Sequence, residues 1–357
     1  MNQDPAILVI GPAWVGDMVM AQSLFRALKK QAPHSAIDVL APPWSAALLE
    51  RMPEVRHSLP LDVAHGEAAL RRRWRIGRAL RSSGYARAIV LPRSAKAALP
   101  AWVAGIPQRT GYLGEYRYGL LNDIRPLDRQ RHYRTVDRFV ALAAPRAGMA
   151  SDPAGEPVEL PRLASSRAQQ AQACRALGLA KGPADGPGGA AGPVLALCPG
   201  AEYGPAKRWP TEAFAAVAGH YAGLGWRVWL FGSEKDRDIT HAIADQVPDA
   251  IDLAGRTSLA QAIDLLAMST VAVSNDSGLM HVAAATGTGV VALYGSSDPG
   301  YTPPLSHQAQ VLYRGLECSP CFARECPLGH LNCLRGITPA EVIAAAEQLS
   351  RIAPDAT

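Results

Sequence analysis

Short apolar runs alternate along this chain with longer stretches of helical periodicity. Ala6 to Ile10 (AILVI) is a strand-like run ended by Gly11-Pro12, and from Met18 to Lys30 the residues Met20, Leu24, Ala27 and Leu28 recur at helical spacing. The strand-like pattern returns at Ala36 to Leu40 and Ala88 to Leu91, so the first half predicts a parallel sheet with crossover helices. Residues 181–193, KGPADGPGGAAGP, cannot hold a packed element and predict a flexible connection. This divides the chain into domains at 1–180 and 194–357 joined by a linker at 181–193. The second half restarts the alternation. Strands are expected at Val194 to Cys198, Trp226 to Phe231, Val271 to Ser274 and Gly289 to Tyr294, and helices at Thr211 to Tyr221 and Leu259 to Met268. The fold class is therefore α/β with two doubly wound sheets.

Open parallel sheets bind ligands beyond the carboxyl ends of their strands, so the loops after Ile10, Cys198, Phe231, Ser274 and Tyr294 carry the candidate chemistry. Gly11-Pro-Ala-Trp-Val-Gly16-Asp17-Met18 has the glycine spacing of a phosphate loop, but Asp17 stands where lysine is needed. A carboxylate there repels phosphate and suits acceptance of a proton from a substrate hydroxyl. Capping of the helix that begins near Met18 is the competing role for Asp17.

Ser274-Asn-Asp276-Ser277-Gly278-Leu279-Met-His281 follows a strand and opens an apolar helix. The amides of Ser277, Gly278 and Leu279 would offer a diphosphate seat, with His281 as a further donor. The alternative is Asp276 as N-cap and His281 as a packing residue. In the loop from Pro199 to Pro210, Lys207 can neutralise a leaving diphosphate, although lysine and Arg208 also suit an ordinary solvated surface. Glu234 follows another strand and is placed either to accept hydrogen bonds from ribose hydroxyls or to open a solvated helix.

Composition narrows the partners. The 357 residues carry a formal net charge of +5, which suits an acidic substrate or a membrane surface and falls short of a nucleic-acid footprint. Ala6 to Ile10 is too short for a signal peptide or membrane span, which makes a cytoplasmic location the expectation. Four of the six cysteines, Cys318, Cys321, Cys326 and Cys333, crowd around His330; structural zinc and buried reduced thiols both fit, and no catalytic metal is expected. Arg71 to Arg75, continuing to Arg78 and Arg81 with Trp74 interleaved, is either a solvated helix face or a surface for anionic lipid.

Taken together, GPAWVGDM, PGAEYGPAKRWP, SNDSGLMHVAAA, LYGSSDP and TPPLSH resemble the ADP-heptose:lipopolysaccharide heptosyltransferases of glycosyltransferase family 9, nearest to their heptosyltransferase II branch. The resemblance covers nearly the whole chain in the family's order. It implies a GT-B fold, two Rossmann-like domains facing across a cleft, with acceptor contacts mainly from the N-terminal half and donor contacts from the C-terminal half. It also implies an inverting, metal-independent enzyme that needs no cofactor. The donor would be ADP-L-glycero-β-D-manno-heptose and the acceptor of the heptosyl-Kdo2-lipid A type, reached by peripheral contact with the cytoplasmic face of the inner membrane. By the same resemblance Asp17 matches the catalytic base, Lys207 the diphosphate-facing lysine, and Asp276, Ser277, Gly278 and His281 the donor-binding motif. Glu234 matches less closely, and Arg93 and Lys96 match an acceptor-phosphate role by position only. The glycine-rich insert and the cysteine cluster depart from some relatives.

Three other readings compete. A Rossmann oxidoreductase would need G-x-G-x-x-G after a strand, and neither half opens with it. Heptosyltransferase I or III would differ only in the acceptor. A non-catalytic nucleotide-binding module would tolerate Asp17→Asn without loss.

Overall fold

The computed structural model describes residues 6–63, 67–144, 157–179 and 192–351. The contacts divide the chain into two units, Met1–Pro161 and Arg162–Thr357. Each unit is built on one six-stranded parallel sheet.

In the first unit the strands are β1 (Ile7–Ile10), β2 (Ile37–Ala41), β3 (Val55–Pro60), β4 (Arg87–Val90), β5 (Gln108–Tyr112) and β6 (Asp123–Arg125), in the spatial order β3-β2-β1-β4-β5-β6. In the second they are β7 (Val194–Cys198), β8 (Arg227–Leu230), β9 (Ile251–Asp252), β10 (Val271–Asn275), β11 (Gly289–Tyr294) and β12 (Ala309–Tyr313), in the order β12-β11-β10-β7-β8-β9. Counted from its own first strand, each sheet has the same 3-2-1-4-5-6 order, which is the Rossmann arrangement. Two such units make the chain a GT-B fold. The central strands β1, β4, β7, β10 and β11 are buried almost throughout, because helices cover both faces, and this is why they read as continuous apolar runs.

The topology fixes where chemistry can sit. Connections leave β1 and β4 toward opposite sides of the first sheet, and β7 and β10 do the same in the second. Each unit therefore has a switch-point crevice beyond the carboxyl ends of those strands. The loop before helix Val15–Gln31 lies at the first crevice. The loop Pro199–Pro210 and the start of helix Gly278–Ala285 lie at the second.

The division between units falls earlier than the expected linker. Glu159 and Leu160 are held to the first unit by Ser23, which donates to the Glu159 carbonyl (2.7 Å), and by Arg26, which pairs with the Glu159 carboxylate (2.8 Å) and donates to the Leu160 carbonyl (3.0 Å). From Leu163 the bonds change partner. Its N–H donates to Ala285 O (2.8 Å), and the Ser165 hydroxyl donates to Asp264 of helix Leu259–Leu266 (2.7 Å). Helix Arg167–Ala176, opened by a Ser166/Gln169 capping box, thus belongs to the second unit. The glycine- and proline-rich stretch expected as linker lies, apart from Gly192 and Pro193, outside the described residues.

Candidate active site

Asp17 is the third residue of helix Val15–Gln31 and is half-buried. The N-cap position of this helix is Trp14, whose side chain makes no cap bond, so Asp17 is not the N-cap residue. It stands instead in the first turn, where the helix dipole favours the ionised carboxylate. Behind it the helix is anchored by Met18, Met20, Leu24 and Phe25, all buried in the first unit.

In the second unit Lys207, Asp276 and the start of helix Gly278–Ala285 come together, whereas Glu234 pairs elsewhere. Lys207 ends a short 3-10 turn, Pro205–Lys207, and its ammonium lies 2.5 Å from the Asp276 carboxylate at the end of β10. Asp276 is buried, and Lys207 is mostly so. The ammonium also lies 5.1 Å from the centre of the Tyr203 ring, with the Arg324 guanidinium 5.3 Å from the same ring. Gly204 has a φ of 156°, and a Cβ there would stand 2.5 Å from the Arg324 carbonyl, so only glycine lets the Lys207 loop lie this close to the chain at Arg324.

Asp276 is not the N-cap of helix Gly278–Ala285. Ser277 holds that position, without a side-chain cap bond, while Asp276 is committed to Lys207. Ser277, Gly278 and Leu279 are partly exposed, so the helix presents its first amides and its positive dipole end beside the Lys207 ammonium. His281 is the exception in this group: it is buried. Burial lowers its pKa to about 4, with Lys207 acting in the same direction and Asp276 against it. It is therefore neutral near pH 7 and contributes a dipole, not a charge.

Glu234 lies at the carboxyl end of β8 in a 3-10 turn, exposed and paired with Arg237 (2.8 Å). In the first unit Arg93 is exposed at the end of β4, and Lys96 donates to the Glu67 carbonyl (3.1 Å). The four clustered cysteines and His330 line one small cavity with Ala206 and Ser296. Of the four thiols only Cys333 is buried; Cys321 is exposed. Among the described residues no group of three or more His, Cys, Asp or Glu side chains is arranged to hold a metal ion.

Several residues that shape the site were not anticipated. Asn275, fully buried, accepts from the Trp209 N–H (3.0 Å) and donates to the Pro199 carbonyl (2.7 Å), so it grips both ends of the Lys207 loop. Asp236 accepts from the Ser233 N–H and hydroxyl (2.9 and 2.8 Å) and lies 3.7 Å from Arg208, which ties the loop after β8 to the loop after β7. Ser296 and Ser297 follow β11 with buried hydroxyls that have no hydrogen-bond partner among the described residues. The only signal for Asn275 and Asp236 was their place beside strand ends, in SNDSG and GSEKD.

A crevice with a cation, an uncapped helix N-terminus and small residues is suited to a diphosphate. The family model for glycosyltransferase family 9 (heptosyltransferase) matches residues 73–332. The chain belongs to that family. It is 43% identical over 343 residues to lipopolysaccharide heptosyltransferase 2 of Escherichia coli, covering 94% of this chain and 96% of that protein. It is also 43% identical over 352 residues to lipooligosaccharide heptosyltransferase 2 of Haemophilus ducreyi, covering 96% and 99%. The solved structure of E. coli ADP-heptose LPS heptosyltransferase II superposes with a TM-score of 0.85 at 41% identity, over 97% of this chain and 98% of that one. The chain is a glycosyltransferase of the heptosyltransferase 2 type.

Proposed function

We propose that the chain moves L-glycero-D-manno-heptose, with inversion, from ADP-L-glycero-β-D-manno-heptose to the first heptose of a heptosyl-Kdo2-lipid A type acceptor, as a peripheral protein at the cytoplasmic face of the inner membrane. The observation that carries this reading is the Lys207–Asp276 pair beside the uncapped start of helix Gly278–Ala285, at the switch point of the second sheet.

In this reading the first unit takes the acceptor and the second the donor. An acceptor hydroxyl oxygen bonds to the anomeric carbon as the bond from that carbon to the phosphate oxygen breaks. The proton goes to Asp17. The charge growing on ADP is met by Lys207 and the amides of Ser277, Gly278 and Leu279, with no metal or other cofactor required. Asp276 acts through Lys207 by fixing its ammonium, and Glu234 takes the ribose hydroxyls.

ADP release from ADP-heptose, followed with acceptors bearing no heptose or one heptose, tests the proposal. Turnover on the mono-heptosylated acceptor alone is expected. Turnover on the heptose-free acceptor would reassign the chain to heptosyltransferase I, and turnover on neither would contradict the donor.

A further inference from the structure

Helix Leu70–Ala79 contains no acidic residue, and its arginines do not share one role. The helix docks on the first unit through Arg73, Ile76 and Gly77, with Leu80 following one turn on. Arg73 and Gly77 are buried, and Ile76 and Leu80 pack against the core. A Cβ on Gly77 would stand 2.7 Å from the Pro100 carbonyl of helix Ala95–Val103, so the two helices lie in close contact. These four positions form one i, i+3, i+4, i+7 stripe, which turns Arg71, Arg75 and Arg78 away from it. All three are exposed, and none of their side chains has a hydrogen bond or ion pair among the described residues.

The border between the packed stripe and these arginines is apolar. Leu70 is 56% exposed and Trp74 44%, and the Trp74 ring lies 6.0 Å from that of Trp102, itself 42% exposed, on the neighbouring helix. The packing against helix Ala95–Val103 is already provided by Gly77, so burial does not account for two adjacent indoles at the surface. Indoles beside guanidinium groups fit the interfacial zone of an anionic bilayer. The rings sit at headgroup depth, and each guanidinium donates in pairs to phosphate oxygens. A single helix and a net charge of +5 do not make a track for nucleic acid. Because this helix runs from the end of β3 to the start of β4, its first turn lies toward the carboxyl edge of the sheet, the edge where Asp17 stands.

We infer that Trp74 and Trp102, with Arg71, Arg75 and Arg78, form a docking surface for an anionic phospholipid bilayer. The inference rests on the membrane-borne acceptor of the proposed function, and its test can fail separately from that function. The full chain is sedimented with vesicles of phosphatidylcholine alone or with phosphatidylglycerol, beside the variants R71E/R75E/R78E and W74A/W102A, with circular dichroism as the check on folding. Wild type is expected to bind the phosphatidylglycerol vesicles and to release with salt. At the usual strength of a basic residue near an anionic surface, loss of the three attractions alone weakens binding on the order of a hundredfold, so the charge-reversal variant should bind at least that much more weakly. The tryptophan variant should bind several-fold more weakly and keep the salt dependence. Unchanged binding by either variant overturns the surface as drawn, as does a wild type that binds both vesicle types alike or neither. Turnover of a soluble, delipidated acceptor is expected to be equal in all three proteins. Loss of turnover in the variants alone would place these residues in the acceptor site and overturn the docking role, whereas loss in wild type would contradict the enzymatic reading.

Discussion

At the scale of single residues, Lys207, Asn275 and His281 can be separated by what each substitution leaves behind. Lys207→Met removes a positive charge from the proposed diphosphate seat, and loss of one such electrostatic contact should lower kcat by about 10²–10³-fold. Steady-state kinetics checks this, and an unchanged kcat would show that Lys207 does not face the leaving group. Asn275→Ala keeps the lysine but leaves the Trp209 N–H and the Pro199 carbonyl buried without partners, at a stability cost of about 2–4 kcal/mol by chemical denaturation. His281 makes a pH prediction. Its folded-state pKa is depressed from 6.5 to about 4, so between those values the unfolded chain binds a proton that the folded chain excludes. Its stabilising contribution is complete above pH 6.5 and is lost as pH falls toward 4. About 2 kcal/mol of the loss between pH 7 and pH 5 should therefore be absent in His281→Gln, measured by urea unfolding at the two values. Equal pH dependence in the two proteins would contradict a neutral buried imidazole.

At the scale of elements, legibility in the sequence followed burial. The central strands β1, β4, β7, β10 and β11 were readable because both of their faces are covered and their sequences are nearly all apolar. The strands β3, β5, β6, β9 and β12 were not readable: VRHSLP, QRTGY and DIR mix charge into short segments whose place is set by pairing with a neighbour. Charge also enters β2, which was readable from Ala36 to Leu40: buried Asp38 accepts from Tyr85 (2.6 Å) and from Arg56 of β3 (3.0 and 2.6 Å). Burial raises the Asp38 pKa, but Arg56 and Tyr85 more than offset this, so the carboxyl titrates below its usual range. Its contribution is present at neutral pH and lost as acid protonates it. Asp38→Ala should destabilise the first unit by about 2–4 kcal/mol in thermal or denaturant unfolding, with no effect on ADP binding. A change below 1 kcal/mol would show that the β2–β3 edge does not depend on this network.

At the scale of the whole molecule, the two-unit plan was visible in the restart of the strand–helix alternation at Val194, but the division was not. The units part between Pro161 and Arg162, and the hydrogen bonds change owner between Leu160 and Leu163. A fragment from Arg162 to the C-terminus should accordingly melt well above one from Val194, which lacks helix Arg167–Ala176 and the Ser165–Asp264 bond. Equal melting temperatures would support the later boundary. The candidate site was legible in a similar proportion. Chemistry-bearing residues such as Asp17, Lys207 and Asp276 stand out beside strand ends, whereas Asn275 and Asp236 hold the site by contacts with residues distant in sequence, and no local pattern announces those.

The proposed reaction is a metal-free displacement in which Asp17 takes the proton. The most direct test is the rate of ADP release from ADP-heptose on the mono-heptosylated acceptor, in EDTA, by wild type and Asp17→Asn at saturating substrates. Full wild-type turnover under chelation is expected, with a kcat lower by about 10²–10⁴-fold in the variant and ADP affinity unchanged. Wild-type activity abolished by EDTA, or a variant as fast as wild type, would contradict it.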